Sequence, residues 1–244
     1  MRQLLLSVRV LSLVFSFTTS SVTAQVILQP GDKRIHPEWL KPEHAFYRTV
    51  VLDSGGLTRY DFVMDDFTIV DSAAGQIIFA RSRQVPPGRF STDTSVTDLS
   101  FRPLRMHEIH YREDVHFEMW FGHTLASVRT TRKGAPSTKT YPMKKGYFED
   151  NMIEYIFGYL DLQKGVVYSL DNFNKDTPSP SDPYTLEYVF DDTWFVAADQ
   201  QIPCMMIRFT HGATTGYIWV DKRTRQMLKQ AGQFKNGSYI VRKL

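Results

Sequence analysis

The chain of 244 residues carries 29 Lys and Arg against 26 Asp and Glu, a formal net charge of +3, and one cysteine, Cys204. So small a basic excess argues against a nucleic-acid binder, which shows a concentrated basic face; the densest cluster here, Lys222, Arg223, Arg225 and Lys229, merely straddles a turn. A lone cysteine excludes an intrachain disulfide, so the fold rests on packing, and its neighbours Ile202, Met205, Met206 and Ile207 make it a buried small hydrophobe.

The stretch "MRQLLLSVRVLSLVFSFTTSSVTA" has the form of a secretory signal peptide. It has charge at Arg2 and Arg9, an apolar core from Val10 to Phe17, and small residues up to Ala24, after which cleavage is expected. The apolar run is too short for a membrane anchor, which needs about 20 continuous apolar residues. The expectation is a periplasmic protein of residues 25–244, one β-rich domain without an anchor, whose net charge falls to +1 once Arg2 and Arg9 are lost. A Pro-rich lead-in, "LQPGDKRIHPEWLKPEH", precedes the first regular pattern.

Strand signals then dominate. "AFYRTVVL", "LTRYDFVMDDFTIV" and "QIIFARSRQV", separated by "DSGG" and "DSAAG", predict a three-strand meander rich in β-branched and aromatic residues. Pro86-Pro87-Gly88 ends it, and "STDTSVTD" reads as an irregular polar connection. A second meander follows in "LSFRPLRMHEIHY", "VHFEMWFGHTLASVRTTRK" and "STKTYPMKK". In "GYFEDNMIEYIFGYLDLQKG" the period changes: Phe148, Met152, Tyr155, Ile156 and Tyr159 recur at helical spacing, Glu149 and Asp150 suit a helix N-terminus, and Gly165 is a stop. This is the one predicted helix, packed on a face of the sheet.

"DNFNKDTPSPSDPY", about residues 171–184, is a Pro/Ser loop. Beyond it come "TLEYVFDDTWFVAA", "IPCMMIRFT" and a closing meander whose last hairpin turns at Asn236-Gly237, a dipeptide that accepts positive φ. On "YIWV", Tyr217 and Trp219 share one face and Ile218 and Val220 the other, so cover on both sides is expected.

No chemistry-bearing motif emerges. His107, His110 and His116, with Glu108, Glu113 and Asp114 nearby, are the best metal candidates. An odd separation puts His107 and His110 on opposite strand faces, and no HExxH, paired CxxC or Asp-rich loop is present. Nor is there a Gly-x-Ser-x-Gly elbow or a Gly-rich phosphate loop ahead of a helix. The pairs Asp65-Asp66 and Asp191-Asp192 diverge on strands and read as hairpin charges, and Asn236-Gly237-Ser238 matches the glycosylation pattern but is explained by its turn. A non-catalytic protein without cofactor is expected. The surplus of apolar residues has two readings: plain core packing, or a cavity between a curved sheet and the helix, lined by Met152, Tyr155, Ile156 and Tyr159, of the kind that suits lipid-like ligands.

The segments "DLSFRPLRMHEIHY", "GYFEDNMIEYIFGYLDLQKGVVYSL" and "TTGYIWVDKRTRQMLKQAGQFKNGSYIVRKL", in that order, resemble the exported bacterial family called domain of unknown function 3108. The matching positions are Asp150 to Ile153 on the helix, Leu162 to Gly165 after it, and Trp219 to Asp221 on a strand. The resemblance implies a mainly β protein of the Gram-negative envelope, with a curved antiparallel sheet or open half-barrel wrapped on one helix, akin to the LolA-like carriers. It assigns no catalytic residue. Two partners are compatible with it: a lipid or other apolar small molecule in the cavity, or an envelope protein docked on a surface patch.

Overall fold

The computed structural model describes residues 25–85, 88–143, 146–174, 183–197 and 200–244. The expected signal peptide and its cleavage point lie outside these residues, as does most of the expected Pro/Ser loop, 175–182.

After a short strand β1 (Gln25–Leu28), the first meander forms as its alternation dictates: β2 (Glu43–Asp53), β3 (Thr58–Asp71) and β4 (Gln76–Val85) pair antiparallel. Ala45, Tyr47 and Thr49 are buried while Phe46 and Arg48 are exposed, the period of two expected of a half-buried strand. The sheet then continues through β5 (Gly88–Asp98), where "STDTSVTD" was read as an irregular connection. That reading fails because the inward residues Ser91, Asp93, Ser95 and Thr97 are buried yet polar, so the strand carries no hydrophobic alternation. Ladder bonds to its neighbours and polar partners inside the sheet hold it instead. β6 (Pro103–His110), β7 (Val115–Phe121), β8 (Leu125–Arg132) and β9 (Ala135–Pro142) follow, the stretch read as one long strand being split into β7 and β8 by a turn at Gly122.

The helix is shorter than its stripe. β10 (Phe148–Glu149) leads into α1 (Asp150–Ile156), and the chain then tightens into one 3-10 turn, Phe157–Tyr159. Glu149 caps α1, its side chain accepting from the Asn151 backbone N–H at 2.9 Å. Two short strands come next, β11 (Val167–Leu170) and β12 (Asn172–Phe173), the latter pairing with β10 in a separate two-stranded sheet. The closing meander is β13 (Tyr184–Ala197), β14 (Gln200–His211), β15 (Thr214–Asp221), β16 (Met227–Phe234) and β17 (Gly237–Lys243). Gly158 in the 3-10 turn lies so close to the β15–β16 connection that a Cβ there would sit 1.8 Å from the Arg225 carbonyl oxygen. Only glycine fits.

β17 pairs with β2, joining the two meanders into one sheet of fifteen strands in the order β1-β11-β13-β14-β15-β16-β17-β2-β3-β4-β5-β6-β7-β8-β9. Only the β1–β11 pair in it is parallel, and the edges β1 and β9 do not meet. The result is a mostly β protein with one α-helix among the described residues and a large curved sheet not closed into a barrel. The helix packs against one face, called the inner face below. Met152, Ile153 and Ile156 are fully buried there with Phe79, Ile207, Ile218 and Val220, each such side chain contributing roughly 1.5–3 kcal/mol of burial. A second cluster around Met106, Met119 and Val128 extends the core under β6–β8. Cys204 is buried, and that burial pushes its thiol up to about 11.

Candidate functional site

The four residues expected to line a cavity do come together, around α1. Met152 and Ile156 have no exposure and belong to the main core. Tyr155 stacks on Phe79 with ring centroids 4.8 Å apart, and the Arg81 guanidinium lies 4.9 Å from its ring centroid. Tyr159 sits on the 3-10 turn, its hydroxyl pushed well up by burial. The space between Tyr155 and Tyr159, which also touches Glu43, Asp66, Arg81 and Glu154, is about 30 Å³. That volume admits a water molecule and not an acyl chain.

The inner face beside the helix is ionic. Arg81, 6% exposed, donates from Nε and Nη2 to the Asp66 carboxylate at 2.9 Å and from Nη1 to Glu154 Oε2 at 2.9 Å. Burial alone would lower the Arg81 pKa, but the Asp66 charge and its other anionic neighbours hold it above the ordinary value. Glu154 is held below the usual carboxylate range by Arg81 despite its desolvation, and Gln230 donates to its other oxygen at 3.4 Å. Further along β5, Ser95 donates to Glu149 Oε2 at 2.5 Å and Arg83 donates to Asp93 at 2.5 Å. Desolvation raises Asp93 and pushes Glu149 up to about 8. The contacts to Glu154 and to the cap Glu149 clamp α1 to the sheet, and Arg83–Asp93 ties β4 to β5.

The histidines fall as their spacing predicts. His110 pairs with Glu108 at 2.5 Å on one face, while His107 faces His116 on the other with ring centroids 6.5 Å apart. Among the described residues no three or more His, Cys, Asp or Glu side chains come together in a way that could hold a metal ion.

A groove large enough for a ligand lies on the outer face, where the sequence reading placed nothing. β14 loses its β15 neighbour beyond Cys204, and the free end of the β13–β14 hairpin reaches across toward β16 and β17. Trp194 turns its ring to the charged groups of two cations from those strands, the Lys229 ammonium at 5.7 Å and the Arg242 guanidinium at 5.3 Å from its ring centroid. The base of the hairpin is fixed by Trp219, whose indole N–H donates to Asp192 at 2.7 Å, and by Asp191, which Lys222, Tyr188 and Lys164 hold well below the usual carboxylate range. Between hairpin and sheet runs a groove of about 720 Å³. Its apolar walls are Trp194, Val196 and Ile202 from the hairpin and Val50, Leu228 and Ile240 from the sheet. The full cover expected for Tyr217 and Trp219 is not found: Ile218 and Val220 are buried against the core, but Tyr217 is 40% exposed and Trp219 is covered on this side by Lys229, 4.4 Å from its centroid.

The family described as a protein of unknown function (DUF3108) matches residues 56–242. The chain belongs to that family. The DUF3108 match takes in α1, the inner ionic cluster and the groove walls Trp194, Ile202, Leu228 and Ile240, leaving β1, the whole of β2 with Arg48 and Val50, and the last two residues outside. No curated protein matches by sequence. A solved structure from Brucella abortus, a β-barrel-like protein of the domain of unknown function DUF1849, is similar at 12% identity with a TM-score of 0.54. The alignment covers 83% of this chain and 95% of that one, so the likeness is one of fold over nearly the whole molecule.

Sequence reasoning missed the groove because its walls come from residues 50, 194–202 and 228–240, which only the hairpin's reach across the sheet brings together. One signal was present: "WFVAA" is apolar at consecutive positions, so a strand there cannot hide both faces in one core.

Proposed function

We propose that this DUF3108 protein binds a lipid-like, apolar molecule without transforming it, in the cell envelope, and that the seat is the outer groove and not the face of α1. The observation that carries the reading is the groove itself: about 720 Å³, walled by Trp194, Val196, Ile202 and Ile240, and within the size range of sites that take small amphiphiles. An acyl chain entering it gains roughly 0.8 kcal/mol per methylene buried. The signal-like first 24 residues support the envelope as the place of action.

Native mass spectrometry of the protein purified from its own periplasm tests this. The expected result is an added mass that solvent extraction removes and that is missing from Ile240→Asp. Ile240 is 42% exposed, so the carboxylate enters the groove without entering the core. A bare protein mass from freshly prepared material overturns the reading.

Protein docking is a second reading, favoured by Phe190 and Phe195 on the same hairpin, 44% and 60% exposed. It predicts that a photo-crosslinker at Phe195 captures one defined envelope protein in the cell, and capture of none counts against it.

A further inference from the structure

Resting on the groove reading, we infer that the ligand is an amphiphile with an anionic head group, and that Arg242, flanked by Lys229 and Arg48, holds that head.

The argument comes from strand register. On the outer face Lys229 of β16 stands directly opposite Arg242 of β17, and Arg242 directly opposite Arg48 of β2. Three cations thus lie side by side across three adjacent strands, at the spacing where like charges destabilise a sheet. Only one of them has a carboxylate: Arg48 donates to both oxygens of Asp61, at 3.0 Å and 2.7 Å. Lys229 and Arg242 have no ion-pair partner among the described residues and rest on the faces of Trp194 and Trp219. An aromatic face attracts a cation but leaves its charge uncancelled.

Two other charges of the groove are engaged. Lys243 is engaged by Glu43 at 2.6 Å and Gln226 at 2.8 Å. Asp221 accepts from the Arg223 backbone N–H at 2.7 Å and from the Thr224 hydroxyl at 2.8 Å, which fixes its carboxylate in its own turn. Arg223 also lines the groove and has no ion-pair partner among the described residues. What is left over among the described residues is positive, and it sits beside an apolar trough. A carboxylate or phosphate on a hydrocarbon tail satisfies both halves: the tail lies along Ile202, Val196 and Ile240, and the head meets the guanidinium of Arg242, whose planar fork suits two-oxygen anions.

The test uses the fluorescent acid 11-(dansylamino)undecanoate and its uncharged methyl ester, titrated into the protein at low salt. The acid is expected to bind at least tenfold more tightly than the ester. Arg242→Gln is expected to erase that difference, Arg242→Lys to keep most of it, and Arg59→Gln, at an exposed position near the start of β3, to leave it unchanged. Competition by dodecanoate against dodecyl phosphate then tells a fatty acid from a phosphorylated head. Equal binding of acid and ester by the native protein overturns the anionic head while leaving the apolar groove standing. Binding of neither overturns both. A preference for the acid that survives Arg242→Gln, with the fold intact by circular dichroism, overturns the assignment to Arg242.

Discussion

Replacing Arg81 with methionine is expected to lower the melting temperature by roughly 10 °C at neutral pH. Arg81 is 6% exposed and joins Asp66 of β3 to Glu154 of α1. Methionine fills a similar volume but strips both carboxylates of their counter-charge, and Asp66 is itself 5% exposed. Removing one partner of a buried pair costs about 3–5 kcal/mol, and in a domain of this size each kcal/mol moves the midpoint by roughly 2–4 °C. The cause is an orphaned charge, not lost packing, so Asp66→Asn in the same background is expected to recover much of the loss. A thermal melt of the two single variants and the double variant measures the coupling. Simple additivity would mean that Arg81 and Asp66 do not act as a pair.

Changing Glu149 to glutamine is expected to flatten the pH dependence of stability. In the unfolded chain Glu149 gives up its proton near 4.5, whereas burial keeps it until about 8 in the fold. Between those values the folded state binds one more proton than the unfolded state. Stability therefore falls as pH rises through this window, by about 1.4 kcal/mol per unit for this one group. Glutamine still offers an oxygen to the Asn151 backbone N–H and can donate to the Ser95 hydroxyl, so both contacts survive. The variant should match the native protein near pH 4.5 and melt well above it at pH 8. Asp93 is raised by burial and gives a slope of the same sign, while Glu154, lowered by Arg81, acts only below 4.5 and outside this window, so the difference between the two proteins is the quantity to read. Parallel curves across the window would mean that Glu149 is solvated in the fold.

The two outer meanders could be read from the chain because their alternation is driven by one apolar face: Ile77 and Phe79 of β4 are 1% exposed and Leu186 of β13 likewise. β5 could not be read, since its inward residues are Ser91, Asp93, Ser95 and Thr97, whose burial depends on Arg83 and Glu149 arriving from elsewhere. Helical spacing located α1 correctly but overran it, because the chain tightens at Phe157 where Gly158 must back onto Arg225. The helix stripe correctly picked Met152 and Ile156 as apolar neighbours of the sheet, yet periodicity carries no information about how closely two faces pack. The groove was beyond the reach of local pattern altogether. Its row Lys229–Arg242–Arg48 exists only through the pairing of β17 with both β16 and β2, the last of which lies at the other end of the chain.

The central claim is that an apolar tail lies on the outer face of the sheet and not against α1, and isoleucine methyl NMR separates the two directly. Ile202 and Ile240 wall the groove, whereas Ile153 and Ile156 are fully buried on the helix side. With deuterated protein labelled only at isoleucine methyls and dodecanoate in its ordinary protonated form, nuclear Overhauser contacts between chain and methyl report which face is touched. Contacts to Ile202 and Ile240 with none to Ile153 and Ile156 are the expected result. Contacts confined to Ile153 and Ile156 would place the ligand beneath the helix and contradict the account.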